Sequence, residues 1–373
     1  MYQDLQIEEN VKLAPLTTLK VGGDARFFVR AETGEQVAEA VCFARTRDLE
    51  LFVLGGGSNV VVSDGGFDGL VLQVAPHGIS LADAANRKVA EDNIENLIGK
   101  GRSALVTGMA GENWDQFVSF CVERDLAGIE CLSGIPGFVG GTPVQNVGAY
   151  GQDVSETIVS VRCFDRDTST YAVLTNADCG FSYRTSIFNS TERNRYIVLS
   201  VTYNLVYGEH ARVEYPELKR LIELSIKAEP GPNLRKCEPS LRDVREAVLK
   251  VRRSKSMVID HADPNSYSVG SFFKNPIVGQ AKFREITAMF ERVPHFAFGN
   301  GFKIPAAWLI ETAGFEKGFV LGNAGISVNH TLAIINCGNA SAGEIIALRD
   351  KIQETVLVKF GIELQPEPVF VGF

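Results

Sequence analysis

No apolar run in this chain approaches the ~18 residues that a membrane-spanning helix requires, so no bilayer-spanning segment is expected. The opening residues, Met1-Tyr2-Gln3-Asp4-Leu5-Gln6, lack a basic stretch followed by an apolar core, and no secretory leader is expected. Cys-x-x-Cys is absent. The seven cysteines (Cys42, Cys121, Cys131, Cys163, Cys179, Cys237 and Cys337) are scattered, odd in number and mostly set in apolar surroundings. They read as buried free thiols of a reducing compartment rather than as a disulfide framework. The five histidines are equally dispersed, so no metal site is expected. Positive charge is also short: net charge is −8 and the pI is about 5.3. A general nucleic-acid binder needs a basic surface to neutralise phosphates, and that class is excluded, although a local basic pocket for a small anion is not.

What is present is ordinary for a soluble globular enzyme, with 45% hydrophobic and 22% charged residues. At 373 residues, two or three domains are expected. The first segment reads as a β-α-β unit. Gly34 to Thr46 is predicted helical, with Val37, Val41 and Ala44 on one face, followed by a buried strand Leu51–Leu54 and a second apolar run Val60–Val62. Asp83 to Arg102 reads as an exposed insertion. Ala104–Gly108 reads as a strand, and Glu112 to Asp125 as a helix with Trp114, Phe117, Val118 and Cys121 inward. A hairpin is predicted around Asp165-Arg166-Asp167, and alternation from Ile197 to Leu205 predicts a further strand. Lys227 to Pro239 holds three prolines and reads as a linker. Ser240 with Asp243, and Ser341 with Glu344, are capping-box signals for two later helices. Helical residues are also expected from Pro305 to Thr312. Trp114 and Trp308 are expected to be core packing.

Two glycine clusters stand out. Gly55-Gly56-Gly57-Ser58-Asn59 follows a strand, where glycines let backbone N–H groups form a concave nest for a pyrophosphate. It completes neither a Walker loop nor the Gly-x-Gly-x-x-Gly fingerprint, and alone it is equally a tight turn. The second cluster runs Ser133-Gly134-Ile135-Pro136-Gly137-Phe138-Val139-Gly140-Gly141-Thr142 and continues to Gly151. So much glycine with so little charge suggests close backbone approach to something flat or extended; the alternative is a structural loop crossing a sheet. Together the clusters suggest a long dinucleotide.

Three islands carry reactive groups: Tyr183-Arg184, Gly270-Ser271-Phe272-Phe273-Lys274-Asn275-Pro276, and Pro366-Glu367. They supply a fixed cation, a hydroxyl beside an amine and an amide, and a carboxyl. Such a set can bind a carboxylate, stabilise an enolate and deliver a proton. With a dinucleotide it suggests redox chemistry on a polar, anionic substrate. Taken singly, each has a plainer reading: a surface arginine after a strand, a serine in a turn, an exposed acid between prolines. Arg252-Arg253-Ser254-Lys255 likewise reads as a basic helix C-terminus favoured by the helix dipole.

Five motifs in this order, Leu54–Asn59, Ser133–Gly141, Tyr183–Phe188, Gly270–Pro276 and Leu364–Glu367, closely resemble the UDP-N-acetylenolpyruvoylglucosamine reductases (MurB) of bacterial cell-wall precursor synthesis. The resemblance runs from about Leu16 to Phe373. It implies an α+β, three-domain architecture. Two domains would form a flavin-binding cleft of the vanillyl-alcohol-oxidase type (residues 1–72 and 73–235), and a third α+β domain (residues 240–373) would bind substrate, its C-terminal strand a candidate to return to the first. It implies noncovalent FAD, NADPH as hydride donor and a UDP-sugar substrate. It also implies a cytoplasmic location, with no membrane, nucleic-acid or obligate protein partner. The FAD contacts would be Gly55, Gly56, Gly57, Ser58, Asn59, Ser133, Gly134, Ile135, Gly137, Gly141 and Tyr183. Arg184, Ser271 and Glu367 would be catalytic: Arg184 meets the substrate carboxylate, Ser271 protonates C2, and Glu367 donates to the developing enolate. Lys255, Asn275 and Tyr215 would bind substrate. Tyr215 lies in Val213–Leu218, which resembles the substrate-covering loop of one subclass. The competing expectation is another FAD-dependent oxidoreductase acting on a small alcohol or sugar. Flavin tethering in that class uses a histidine or cysteine, which the glycine-loop segments 53–64 and 133–150 do not contain.

Overall fold

The computed structural model describes residues 5–83, 103–208, 213, 215–228 and 239–373. The expected insertion and linker therefore lie largely outside the described residues. The chain divides into two units. One comprises Met1–Glu9, Phe27–Gly56 and Gly69–Ser254; the other comprises Asn10–Arg26, Gly57–Asp68 and Lys255–Phe373.

In the first unit, Thr33 starts helix α1 (Gly34–Thr46) by accepting the Gln36 amide at 3.2 Å, which satisfies one donor that a helix start leaves unpaired. Val37, Ala40, Val41 and Ala44 are buried, the stripe that a 3.6-residue period predicts. The chain then returns through strand Leu51–Leu54, which pairs in parallel with Leu70–Gln73. The larger sheet is antiparallel. Its strands lie in the order 170–175, 158–165, 196–207, 103–109 and 79–83, and 126–127 joins the long strand Tyr196–Tyr207 beside them.

Helix α2 (Trp114–Val122) covers this sheet, with Trp114, Phe117 and Tyr203 ring centroids 5.2–5.9 Å apart. Their polar tips are satisfied: the Trp114 indole donates to Leu132 O at 3.0 Å, and Tyr203 Oη pairs with Thr142 Oγ1 at 2.7 Å. Removing Phe117 to alanine would cost about 3–5 kcal/mol. Burial pushes the Cys121, Cys131 and Cys179 thiols up to about 12, as inert core cysteines require, whereas Cys42 and Cys337 are exposed.

Two further helices complete the unit. Helix α3 (Pro216–Ala228) was not expected. Its Leu218 and Ile222 are buried in a stretch whose first residues read as a loop and whose last residues read as linker. Helix α4 (Leu241–Ser254) starts at the predicted Ser240–Asp243 pair, with reciprocal bonds of 2.8 and 3.2 Å. It buries Leu241, Val244, Ala247, Val248 and Val251 in this unit's core.

In the second unit, strand Val60–Val62 pairs in parallel with Val369–Val371, so residues 309 positions apart share one ladder. Helices α5 (Gln280–Met289), α6 (Ala306–Ala313) and α7 (Ala342–Phe360) pack around Phe272, Phe273, Leu309, Ile345, Leu348, Ile352 and Phe360. Ser341 and Glu344 form the predicted capping box, and Asp64 adds both carboxylate oxygens to the same helix start, accepting Ala342 N at 2.7 Å and Gly343 N at 3.0 Å. Gly361, with φ +60°, ends α7 in the left-handed conformation. Trp308 lies 5.5 Å from Phe290 and 5.7 Å from Phe360, which is core packing as read from the sequence.

Candidate active site

The two glycine clusters meet within the first unit. A side chain on Gly56 would come within 2.8 Å of Gly137 Cα, so backbone packs on backbone there. Gly55 and Gly141 differ, since a Cβ on either would meet nothing within 4 Å. Five amides of the second cluster are already engaged. Ser133 N donates to Glu130 O at 3.3 Å, Gly134 N to Asp115 Oδ1 at 2.6 Å, Val139 N to Glu112 O at 2.9 Å, Gly140 N to Ala110 O at 2.9 Å and Gly141 N to Phe138 O at 3.0 Å. This loop therefore offers a shaped wall, with an open face at Gly141, rather than a full N–H nest. Gly55 and Gly56 are candidates in this unit for amide contacts to a phosphate.

Asp115 anchors the wall. Its carboxylate accepts the Gly134 amide and both guanidinium ends of Arg245, at 2.6 and 2.9 Å. Burial pushes this carboxyl up, but Arg245 and the Gly134 amide outweigh burial and hold it below its ordinary 3.8.

Arg184 sits at φ +54°, an uncommon conformation for a residue with a side chain. The surrounding turn fixes it: Ser182 and Thr185 exchange backbone bonds at 2.9 and 3.1 Å, and Asn189 Nδ2 donates to Arg184 O at 3.2 Å. Its guanidinium donates to Asn146 O at 3.3 Å and Gly148 O at 2.5 Å, and stands 3.7 Å from Asp153. The cation is thus oriented by carbonyls and stands beside a half-exposed carboxylate, whose place a substrate carboxylate can take. Its neighbour Tyr183 places a ring 5.4 Å from the guanidinium carbon.

Tyr215 is exposed and lies immediately before α3, where its carbonyl accepts the Lys219 amide. Its ring meets Tyr150 edge-on at 5.3 Å. Tyr150 in turn hydrogen-bonds Arg252, whose guanidinium is buried and whose pKa burial lowers. Arg252 was read as part of a basic helix C-terminus. The signal for its burial was its position on the stripe Leu241, Val244, Val248, Val251. Neither Tyr150 nor Asp153 was singled out from the sequence.

In the second unit, Gly57 has φ +64°, and a Cβ there would lie 2.0 Å from Leu16 O. Thr18 N donates to Gly57 O at 3.0 Å and Thr18 Oγ1 to Ser268 O at 2.6 Å, tying this loop to the segment that leads to Ser271. Buried Phe272 and Phe273 fix the backbone on the C-terminal side of Ser271. Phe272 N donates to Leu332 O at 2.8 Å, Glu367 N to Phe272 O at 2.9 Å and Lys274 N to Gln365 O at 2.9 Å. The Ser271 and Glu367 segments are thus antiparallel neighbours, with Phe273 bridged to Pro366. Asn275 Oδ1 accepts Ala306 N at 2.8 Å at the start of α6, which turns its NH2 end outward as a donor. Lys255 and Ser271 are half-buried.

The chain matches two family models: an FAD binding domain over residues 25–173 and the C-terminal domain of UDP-N-acetylenolpyruvoylglucosamine reductase over residues 263–371. With the mixed helix and strand content of both units, this defines an FAD-binding oxidoreductase of the α+β class, the flavin-binding part being of the vanillyl-alcohol-oxidase type. UDP-N-acetylenolpyruvoylglucosamine reductase of Thermobifida fusca is 44% identical over 373 residues, covering 97% of each chain. That of Saccharopolyspora erythraea is 42% identical, covering 96% of this chain and 94% of its own. The solved structure of the Thermus caldophilus enzyme superposes with a TM-score of 0.62 over 98% of this chain and 99% of its own, at 23% identity, a likeness of fold. The chain belongs to the UDP-N-acetylenolpyruvoylglucosamine reductase family. Open faces at Gly55 and Gly141 beside the close Gly56–Gly137 approach fit a flat, extended cofactor such as FAD.

Proposed function

We propose that this chain reduces the enolpyruvyl group of UDP-N-acetylglucosamine enolpyruvate to give UDP-N-acetylmuramate, in the cytoplasm, for peptidoglycan precursor synthesis. FAD, held by the glycine loops and Tyr183, would supply the hydride chemistry that links NADPH to C3 of the enolpyruvyl group. Arg184 binds the substrate carboxylate, into which charge from C2 spreads, beside its 3.7 Å contact with Asp153. Ser271 holds the proton that C2 receives. A hydroxyl is a weak acid, so it acts against a strongly basic carbon and beside polar Lys274 and Asn275. Glu367, protonated, donates to the enolate. Asn275 offers its NH2 group, and Lys255 and Tyr215 bind the diphosphate region. Gly55, Gly56, Gly57, Ser58 and Tyr183 line the FAD side with the wall from Ser133, Gly134, Ile135, Gly137 and Gly141. Helix α4, read from the sequence as the start of the substrate domain, packs in the first unit, and on this reading the substrate domain proper begins at Lys255.

The observation that most supports the roles is the 2.9 Å bond from Glu367 N to Phe272 O, which sets the acid beside the serine segment. The test is direct. Purified protein should show an oxidised-flavin spectrum released by denaturation, and NADPH oxidation that depends on UDP-N-acetylglucosamine enolpyruvate. Flavin retained through denaturation, or oxidation of simple alcohols instead, would favour the other oxidoreductase class.

A further inference from the structure

Glu367 lies between Pro366 and Pro368, neither of which has an N–H to anchor it. Its own two backbone groups are therefore important to its placement. Glu367 N donates to Phe272 O at 2.9 Å. Its carbonyl accepts the side-chain amide of Asn59 at 3.2 Å. Asn59 grips the same stretch a second time, because its own carbonyl accepts Val369 N at 2.9 Å, at the start of the parallel ladder Val369↔Val60. One residue thus holds the chain on both sides of Pro368. A residue preceding proline favours extended backbone, so with its N–H and C=O both held, the direction in which the Cα–Cβ bond of Glu367 leaves the chain is held as well.

We propose that Asn59 is a positioning residue for the acid Glu367. Its side-chain amide serves the proton-delivering end of the reaction, although its sequence neighbours are the glycines of the FAD loop. This rests on the reading of Glu367 as an acid in the second half of the reaction. The amide is suited to the task because it donates to a carbonyl while the residue's backbone starts a strand. An aspartate of the same shape would face that carbonyl with an acceptor.

The test uses the full-length flavoprotein and three variants, Asn59→Ala, Asn59→Asp and Glu367→Gln, with the double variant Asn59→Ala/Glu367→Gln. NADPH reduction of the flavin and reoxidation by UDP-N-acetylglucosamine enolpyruvate are followed separately, at saturating FAD. The expected result is that, in every variant, reoxidation slows more than flavin reduction does. Reoxidation should be about tenfold slower for Asn59→Ala, the upper end of what one neutral hydrogen bond supplies, and slower still for Asn59→Asp. Adding Asn59→Ala to Glu367→Gln should change little further, since both act through one group. Independently of turnover, hydrogen exchange in the FAD-free protein should show faster exchange of the Glu367 amide in Asn59→Ala.

Additive effects, or unchanged exchange at Glu367, would overturn the proposal. So would loss of flavin in Asn59→Ala that saturating FAD does not restore, because the amide would then serve the cofactor. If Glu367→Gln itself leaves reoxidation untouched, the acid reading fails and the proposal falls with it. If Glu367→Gln slows reoxidation while Asn59→Ala does not, only the proposal falls.

Discussion

The two glycine clusters look alike in sequence and differ in what their glycines are for. In Gly55-Gly56-Gly57 each glycine has a separate reason. Gly55 opens onto empty space, Gly56 admits the Gly137 backbone, and Gly57 holds a left-handed turn 2.0 Å (at Cβ) from Leu16 O. In Ser133–Gly141 five amides are tied down by Asp115, Glu112, Ala110 and neighbouring carbonyls, and Gly141 faces open space whereas Gly140 lies against Ala110. A glycine-rich stretch signals close approach, but the partner can be a cofactor or the protein's own backbone. Only the three-dimensional neighbours decide which.

The largest effect expected from this contrast is at Gly57. Gly57→Val combines a positive φ with overlap on a main-chain oxygen and should destabilise by more than about 3 kcal/mol. A melting temperature close to wild type would show that the turn relaxes easily and would blur the distinction between the loops.

The Ser133–Gly141 wall can be loosened through its anchor. Asp115→Asn removes the charge that holds Gly134 and Arg245 and should cost about 1–3 kcal/mol and weaken FAD retention. The pH dependence has a definite sign. The Asp115 carboxyl is depressed in the folded protein, so its contribution is fully present above its ordinary value of 3.8 and is lost as pH falls through the lower folded value. Melting curves below about pH 4 should show a loss that Asp115→Asn reduces, the other depressed carboxyls such as Asp165 retaining theirs. An unchanged acid limb in the variant would remove Asp115 as the anchor.

The smallest expected effect on folding is at Gly141. Gly141→Ala meets no atom within 4 Å and should shift stability by less than about 0.5 kcal/mol. If FAD lies against this face, its dissociation constant should nevertheless rise. Unchanged stability with unchanged FAD affinity would place the cofactor elsewhere along the wall.

Much of the scaffold was legible because it is encoded locally. Helix α1 follows from the Val37, Val41, Ala44 stripe and Thr33; α7 follows from Ser341 and Glu344; and the hairpin at Asp165–Asp167 follows from alternation on either side. Helices α3 and α5 were missed for different reasons. The apolar stripe of α3 is interrupted by charge within a stretch resembling a loop. Among the residues of α5 only Ile286 is fully buried, so it carries little periodic signal. The reactive residues Arg184, Ser271 and Glu367 came from ordered motifs and resemblance, not from pattern. What supports them could not be read at all. Asp153 beside Arg184, Arg252 behind Tyr150, and Asn59 on Glu367 are contacts between residues 31, 102 and 308 positions apart, for which a single sequence holds no local trace.

The central claim is that Ser271 supplies the proton and has no part in the arrival of the hydride. Rapid-mixing absorbance of Ser271→Ala tests it by separating the half-reactions. Flavin reduction by NADPH should proceed at nearly the wild-type rate, and reoxidation by UDP-N-acetylglucosamine enolpyruvate should slow by at least ~10², the scale of a lost general acid. Blocked flavin reduction with normal reoxidation would make Ser271 a contact of the nicotinamide or flavin and contradict the account.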